Sequence, residues 1–339
     1  MAIQLMMETL DTLPTPPALL DIAWRPMRRE DVPAVYEMLL AVEKADDRQV
    51  AGTLEDARRE FDDPWCSHET DSLLAITPNG QAAAFARTFM SPQPEEENRC
   101  FLWVEAHPNH RRRGLEEFML DWAEARGRQR LASVSNDLPR VLRSGVQDNL
   151  ADRMAQLERS GFRPVRYFYR MRRDLREPIP DKSLPEGLAL RTFTPELSKA
   201  VQDALNEAFR DHWSFEPITD EDWQRFFLER SSFRPDITFV AMDGDRVAGL
   251  SFNTISPEEN ARNGINEGWV AELAVRRPWR KRGIATALLC ETMRAFKAEG
   301  LDFATLGVDT ENLSGALRLY ESVGFKPVKR FIQFEKPMQ

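Results

Sequence analysis

The sequence predicts an α/β protein of two tandem domains, each a mixed, mostly antiparallel sheet flanked by helices. Three observations lead there: the chain repeats itself at three collinear places, strand and helix patterns alternate through the second copy, and a proline-rich stretch separates the copies. The 339 residues suffice for about two domains at roughly 150 residues each. Thr53-Leu-Glu-Asp-Ala-Arg-Arg-Glu-Phe61 resembles Thr219-Asp-Glu-Asp-Trp-Gln-Arg-Phe-Phe227 at an offset of 166. His110-Arg-Arg-Arg-Gly114 resembles Trp279-Arg-Lys-Arg-Gly283 at 169, and Glu158-Arg-Ser-Gly-Phe-Arg-Pro-Val-Arg166 resembles Glu321-Ser-Val-Gly-Phe-Lys-Pro-Val-Lys329 at 163. Three collinear matches at nearly constant offset mark two copies of one fold. Arg176–Gly187, with three prolines and a glycine and no helical or strand period, reads as a semi-rigid linker. The predicted boundaries are an N-terminal arm over 1–22, a first domain over 23–175, the linker over 176–187 and a second domain over 188–339.

The second copy shows its elements most clearly. Leu188–Thr192 alternates as a short strand, and Leu197, Val201, Leu205 and Phe209 recur every four residues as a helix. Thr219, followed three residues later by Asp222, starts a second helix. Thr238–Met242 and Val247–Asn253 are strands around Asp243-Gly-Asp245, a hairpin signal. Trp269–Val275 is a strand, followed by a basic, glycine-containing turn. The helix after it carries Ile284, Leu288, Leu289, Met293 and Phe296 on one stripe and stops at Gly300. Phe303–Val308 is a strand, Ser314–Val323 a helix, and Phe325–Glu335 an extended run. The order is β-α-α-β-β-β-α-β-α-β.

Composition narrows the function classes. With 55 acidic against 46 Lys and Arg residues, a net charge of −9 and a pI near 5.3, nucleic acid or an anionic membrane is not the expected partner. Cys66, Cys100 and Cys290 are widely spaced and odd in number, so neither a disulfide framework nor a metal site is expected. Residues 1–22 lack the basic start and apolar run of a signal peptide, and no run reaches the roughly 18–20 apolar residues of a membrane span. A cytoplasmic setting is the simplest expectation.

Chemistry concentrates in Glu272-Leu-Ala-Val-Arg-Arg-Pro-Trp-Arg-Lys-Arg-Gly-Ile-Ala-Thr286. A strand runs through a cationic turn into a helix, and free N–H groups at a helix start, with the positive end of its dipole, attract anions. Gly283 lets the backbone approach a ligand closely, Ala285 leaves room over the first turn, and Arg280 and Arg282 add charge suited to phosphate. The pattern is not a Walker A loop.

This arrangement resembles the GNAT superfamily of N-acetyltransferases. Arg280-Lys-Arg-Gly-Ile-Ala285 matches the acyl-CoA signature Arg/Gln-x-x-Gly-x-Gly/Ala. Asn312 with Ala316, Tyr320 and Gly324-Phe325 matches the downstream motif. The two-copy layout is similar to that of mycothiol synthases. The resemblance implies acetyl-CoA as co-substrate, with its pyrophosphate at Arg280, Lys281, Arg282, Gly283, Ile284, Ala285 and Thr286. The pantetheine would lie along Leu273, Ala274 and Val275, with the Leu273 N–H at the thioester carbonyl. Asn312 and Ala316 would flank the thiol, and Tyr320 would protonate the departing thiolate. Many relatives carry a carboxylate base at the position of Trp269. Here Glu267 shares the strand parity of Trp269, whereas Glu272 is nearer but of opposite parity. A water relay, or an amine of low pKa, would need no dedicated base. The acceptor, a small-molecule or peptide amine, would meet the loop holding His212, Trp213 and Phe215, whose aromatics equally suit capping of the core. The rival to catalysis is a non-catalytic acyl-CoA-binding or regulatory module.

The first copy departs from both motifs. Glu116 replaces the small residue of the anion turn, Leu157 stands at the position of Tyr320 and Arg153 at that of Ala316. A GNAT-like fold without transfer activity is expected there.

Overall fold

The computed structural model describes residues 12–18, 22–91, 93–312 and 315–338; most of the arm over 1–22 lies outside the described residues. Among these are twelve strands. In chain order they are β1 Ala23–Arg25, β2 Ser72–Ile76, β3 Ala82–Met90, β4 Asn98–Ala106, β5 Arg140–Gln147, β6 Arg163–Asp174, β7 Ala189–Thr192, β8 Phe239–Asp243, β9 Arg246–Thr254, β10 Glu267–Val275, β11 Phe303–Asp309 and β12 Lys326–Pro337.

The chain divides into two compact units, 1–165 with 332–339 and 166–331. The division differs from the boundary read in the sequence. The strand after the last helix of each copy passes into the other copy's unit: β6 from Arg166 onward lies in the second, and the latter half of β12, from Ile332 onward, in the first. The proline-rich stretch stays with the second unit, where Ile179, Leu184 and Leu188 pack on its core. Arg294 donates to the Lys182 carbonyl at 3.2 Å, fixing the stretch to the helix over Ile284–Ala298.

In the first unit the strands run β1-β2-β3-β4-β5 with β12 beside β5, and only β4 and β5 pair in parallel among the registers described. In the second the order is β6-β11-β10-β9-β8-β7, with β10 and β11 parallel and the other pairs antiparallel. The fold class is therefore as expected, a mixed and mostly antiparallel sheet with helices on both faces.

The strand alternation shows why both faces are covered. Phe239 and Ala241 of β8 join the cluster formed with Ile284, Leu288, Met293 and Phe296. Their neighbours Val240 and Met242 join the cluster formed with Val201, Ala204 and Leu205 of the Ser198–Phe209 helix. A period of two thus sends successive side chains to two separate cores. The 284–298 helix ends as its sequence indicates: the Gly300 N–H meets Lys297 O at 3.1 Å and the Leu301 N–H meets Phe296 O at 3.0 Å, a Schellman closure. The sequence pattern missed the short helix Pro257–Asn263 between β9 and β10, although Ser256 caps it and Pro257 opens it.

The last strand is tied into the first unit by buried charge. The Arg143 side chain is 2 % exposed, lies 2.6 Å from Glu97 and pairs with Glu335 of β12. Lys336 donates to the Ser160 carbonyl at 2.7 Å. Removing one partner of a buried pair leaves a charge without full compensation. Glu335→Ala should therefore lower stability by roughly 2–4 kcal/mol. A fall in the urea midpoint, with amide protection lost first in β5, is the expected readout; an unchanged midpoint would show that Glu97 suffices.

Candidate functional site

In β10 one residue too many stands opposite β9. Trp269 pairs with Thr254 and Val270 with Asn253, but the next partner of β9, Phe252, faces Glu272. Ala271 is the extra residue of a β-bulge. Parallel pairing to β11 covers Glu267–Val270 against Phe303–Leu306. Beyond it opens a cleft of about 470 Å³, lined by Trp269–Leu273 of β10, Leu306–Asp309 of β11, Phe168–Arg170 of β6 and Phe331, and by Phe209, His212, Phe215, Asn312, Ala316 and Tyr320.

The bulge corrects the reading of the two glutamates. A simple period of two puts Glu272 on the face opposite Trp269, but an inserted residue reverses the alternation and brings it to the same face. Glu267, the base expected from parity, does not line the cleft. It is 1 % exposed, bound by Arg172 at 2.7 Å and by the Thr305 hydroxyl at 2.7 Å, and holds the sheet together beneath the site. Glu272 is only partly buried, yet loss of solvent around its carboxyl pushes it up to about 7, against the pull of Arg230. Tyr320, 8 % exposed on the Ala316–Ser322 helix, shares the cleft. Burial first, and the nearby Glu272 charge second, raise its phenol above the ordinary value, so it remains a proton donor.

The turn before the 284–298 helix is shaped for an anion. Lys281 and Gly283 both have positive φ, 61° and 84°, which turns successive N–H groups toward one side. No side chain caps this helix start among the described residues, and Ile284 buries its side chain in the core. The amides of Ile284, Ala285 and Thr286 are thus available to a ligand.

Arg280 departs from its expected role. Its guanidinium donates to Val275 O at 3.1 Å, Ala208 O at 2.7 Å and Asp211 at 3.1 Å. It braces the strand end to the helix end rather than extending toward a phosphate. Arg277 also donates to Asp211, at 3.0 Å, and Arg276 to Glu207 at 2.6 Å. The exposed Lys281 and Arg282 are left to supply charge.

Of the other expected residues, Leu273, Asn312, Ala316, Tyr320, His212, Phe215 and Trp269 line the cleft. Trp213 does not; it packs beside Phe168 at 6.2 Å between ring centroids, under the Arg166 guanidinium at 5.6 Å. Ala274 lies in the core, and the Val275 carbonyl serves Arg280. Asn312 Nδ2 donates to His212 Nε2 at 3.4 Å, and burial lowers the His212 pKa, favouring the neutral ring that accepts this bond. The residues missed are Phe168, Tyr169 and Arg170, which precede the linker in the sequence. Arg170 lies 4.7 Å over the Trp269 ring and 5.5 Å over Phe331.

The first unit repeats the scaffold and fills the site. Arg112 and Gly114 repeat the positive φ values, 60° and 80°, and Arg111 repeats the brace, donating to Ala106 O at 3.2 Å and to Asp46 at 2.6 and 2.8 Å. The Glu116 carboxylate, however, accepts from the Arg112 N–H at 3.2 Å, so the anion turn is closed by its own side chain. The β3–β4 register runs unbroken from Ala84↔Ala106 to Met90↔Cys100, without a bulge. Leu157 is fully buried where Tyr320 would stand.

The Acetyltransferase (GNAT) family model matches residues 198–325. A mycothiol acetyltransferase of Acidothermus cellulolyticus is 32% identical over 238 residues, 68% of this chain and 69% of that protein. That of Thermobispora bispora is 31% identical over 255 residues, 75% and 79% of the two chains. The crystal structure of a GCN5-related N-acetyltransferase from Sphaerobacter thermophilus superposes with a TM-score of 0.71 at 26% identity, covering 96% of this chain and 97% of that one. A tandem GNAT protein from the clavulanic acid biosynthesis pathway shares the fold, with a TM-score of 0.68 at 16% identity over 94% and 98% of the chains.

Ala285 occupies the position of Glu116, and Ala285→Glu should close the second turn as the first is closed. Coenzyme A titrated calorimetrically should bind at least about tenfold more weakly, with the melting temperature unchanged. Unaltered affinity would place the pyrophosphate elsewhere.

Proposed function

The chain belongs to the GNAT acetyltransferase family, in a two-copy form similar to the mycothiol acetyltransferases, and we propose that its second unit transfers acetyl from acetyl-CoA to a primary amine by direct attack. The observation that carries this reading is that Glu272 and Tyr320 line one cleft, Glu272 on the strand that leads into the open anion turn. A base near neutrality and a phenol held in its protonated form suit the two proton transfers of the reaction.

The pyrophosphate of acetyl-CoA rests on the amides of Ile284, Ala285 and Thr286, with Lys281 and Arg282 beside it. The thioester enters the opening between β10 and β11. The acceptor amine attacks the carbonyl carbon while Glu272, directly or through water, takes its proton. Oxyanion charge collects toward the Leu273 N–H next to the bulge. As the intermediate collapses, the C–S bond breaks and Tyr320 gives its proton to the sulfur. The likeness to mycothiol acetyltransferases favours a small-molecule amine acceptor of the mycothiol type, and the aromatic walls of Trp269, Phe168 and Phe215 suit an acceptor with an apolar or ring-shaped body. The rival reading, a carrier without catalysis, rests on Trp269 at the usual position of the base; Glu272 in the same cleft supports the catalytic reading instead.

Release of free thiol, followed with a panel of amines, tests the activity. Because the free Glu272 carboxylate is the active form, kcat/KM should rise with pH through about 7. Glu272→Gln should remove that limb and lower kcat/KM about 10²-fold. Tyr320→Phe should lower kcat by a similar factor of about 10²; undiminished turnover would show that another group protonates the thiolate.

The filled turn of the first unit leads to one acetyl-CoA per chain. A calorimetric stoichiometry of two would contradict the closure by Glu116.

A further inference from the structure

Asp211 stands between the two halves of the proposed reaction. Its carboxylate accepts from Arg277 at 3.0 Å and from Arg280 at 3.1 Å, both on the segment leading into the anion turn. The next residue, His212, is in the cleft, with its Nε2 receiving the Asn312 amide at 3.4 Å and its backbone N–H donating to Phe209 O at 2.8 Å. One peptide therefore joins the anchor of the donor turn to the wall of the acceptor pocket.

The first unit keeps half of this device. Arg111 holds Asp46 as Arg280 holds Asp211, and Asn149, at the position of Asn312, donates to the Asp46 carbonyl at 2.8 Å. There the asparagine closes on backbone; in the second unit it reaches an imidazole that lines the cleft. The brace serves the fold in both units, and the link onward to the cleft belongs to the second.

Resting on the reading of this cleft as the site of acetyl transfer, we propose that Asp211 is a positioning residue for the acceptor, holding His212 and its partner Asn312 in place by clamping Arg277 and Arg280. The Asp211 side chain is 41 % exposed, and exposed ion pairs contribute little to stability. Arg280 keeps its two carbonyl partners without Asp211. Loss of the clamp therefore acts on geometry rather than on folding. It also uncovers positive charge beside the anion turn, so donor affinity holds or tightens while acceptor affinity falls. A defect of folding would weaken both.

Asp211→Asn should raise the acceptor KM about fivefold to tenfold, a ratio ordinary for coupled sites, while the acetyl-CoA Kd stays equal or falls and the melting temperature is unchanged. Asp211→Glu should restore part of the loss. Combination with His212→Ala should add little to the acceptor KM, because both changes remove the same wall. An unchanged acceptor KM overturns the proposal, as does a joint loss of donor affinity, acceptor affinity and melting temperature. A parallel readout needs no turnover: the His212 ring proton signal, assigned with His212→Ala, should shift in Asp211→Asn, and an unmoved signal overturns the proposal. Absence of acetylated product from the wild-type protein with every amine would instead overturn the transferase reading, leaving the imidazole signal to decide the clamp.

Discussion

An antiparallel ladder gives every residue a partner across the strand, so an extra residue must leave the ladder and turn the rest of its strand over. Ala271 is that residue in β10. Parallel pairing with β11 spans the four residues just before it, and the cleft opens beyond. The same insertion carries Glu272 to the face of Trp269, into a pocket dry enough to hold its carboxyl near neutrality. The Glu272 charge in turn helps keep Tyr320 protonated. The cleft and the placing of the Glu272 carboxyl and the Tyr320 phenol within it thus share one local cause.

The first unit shows the fold without that cause. Its equivalent strand is in register throughout, and the space around it is taken by charge: Arg48 pairs with Glu105, Arg111 with Asp46, and Glu116 turns back on the anion turn. The arginine brace survives in both units, which separates its structural service from ligand binding. A residue that matches a binding signature can persist because the backbone needs it, long after the ligand site beside it has closed.

Much of this was legible in the sequence. The repeat, the order of elements, the Leu288–Met293–Phe296 stripe and the Gly283 turn all follow from spacing, because helices and tight turns leave local marks. The neighbours Asn312, Ala316 and Gly324-Phe325 single out Tyr320, and it lines the cleft. The bulge was not legible: Val270-Ala271-Glu272 contains no glycine or proline, and a strict alternation therefore favoured Glu267 over Glu272. Arg280 matches an anion signature yet binds carbonyls and Asp211, because a guanidinium serves carbonyls as readily as phosphates and sequence does not say which lies nearer. The placement of Phe168, Tyr169 and Arg170 in the cleft was equally hidden. Strand propensity reports that a segment is extended, not which sheet it joins.

The exchange of β6 and β12 bears on how the protein is made and how it can be taken apart. On the ribosome the N-terminal 165 residues are finished long before residues 332–339 that complete their unit. At roughly 5–20 residues per second, the first sheet waits on the order of ten seconds for its last strand. The second unit, by contrast, has every one of its residues in hand once Phe331 has emerged. Severing the gene at the proline-rich stretch, the natural choice from sequence, would strip each half of a strand that the other carries. Each copy as the sequence delimits it thus ends in a strand segment that completes the other copy's unit.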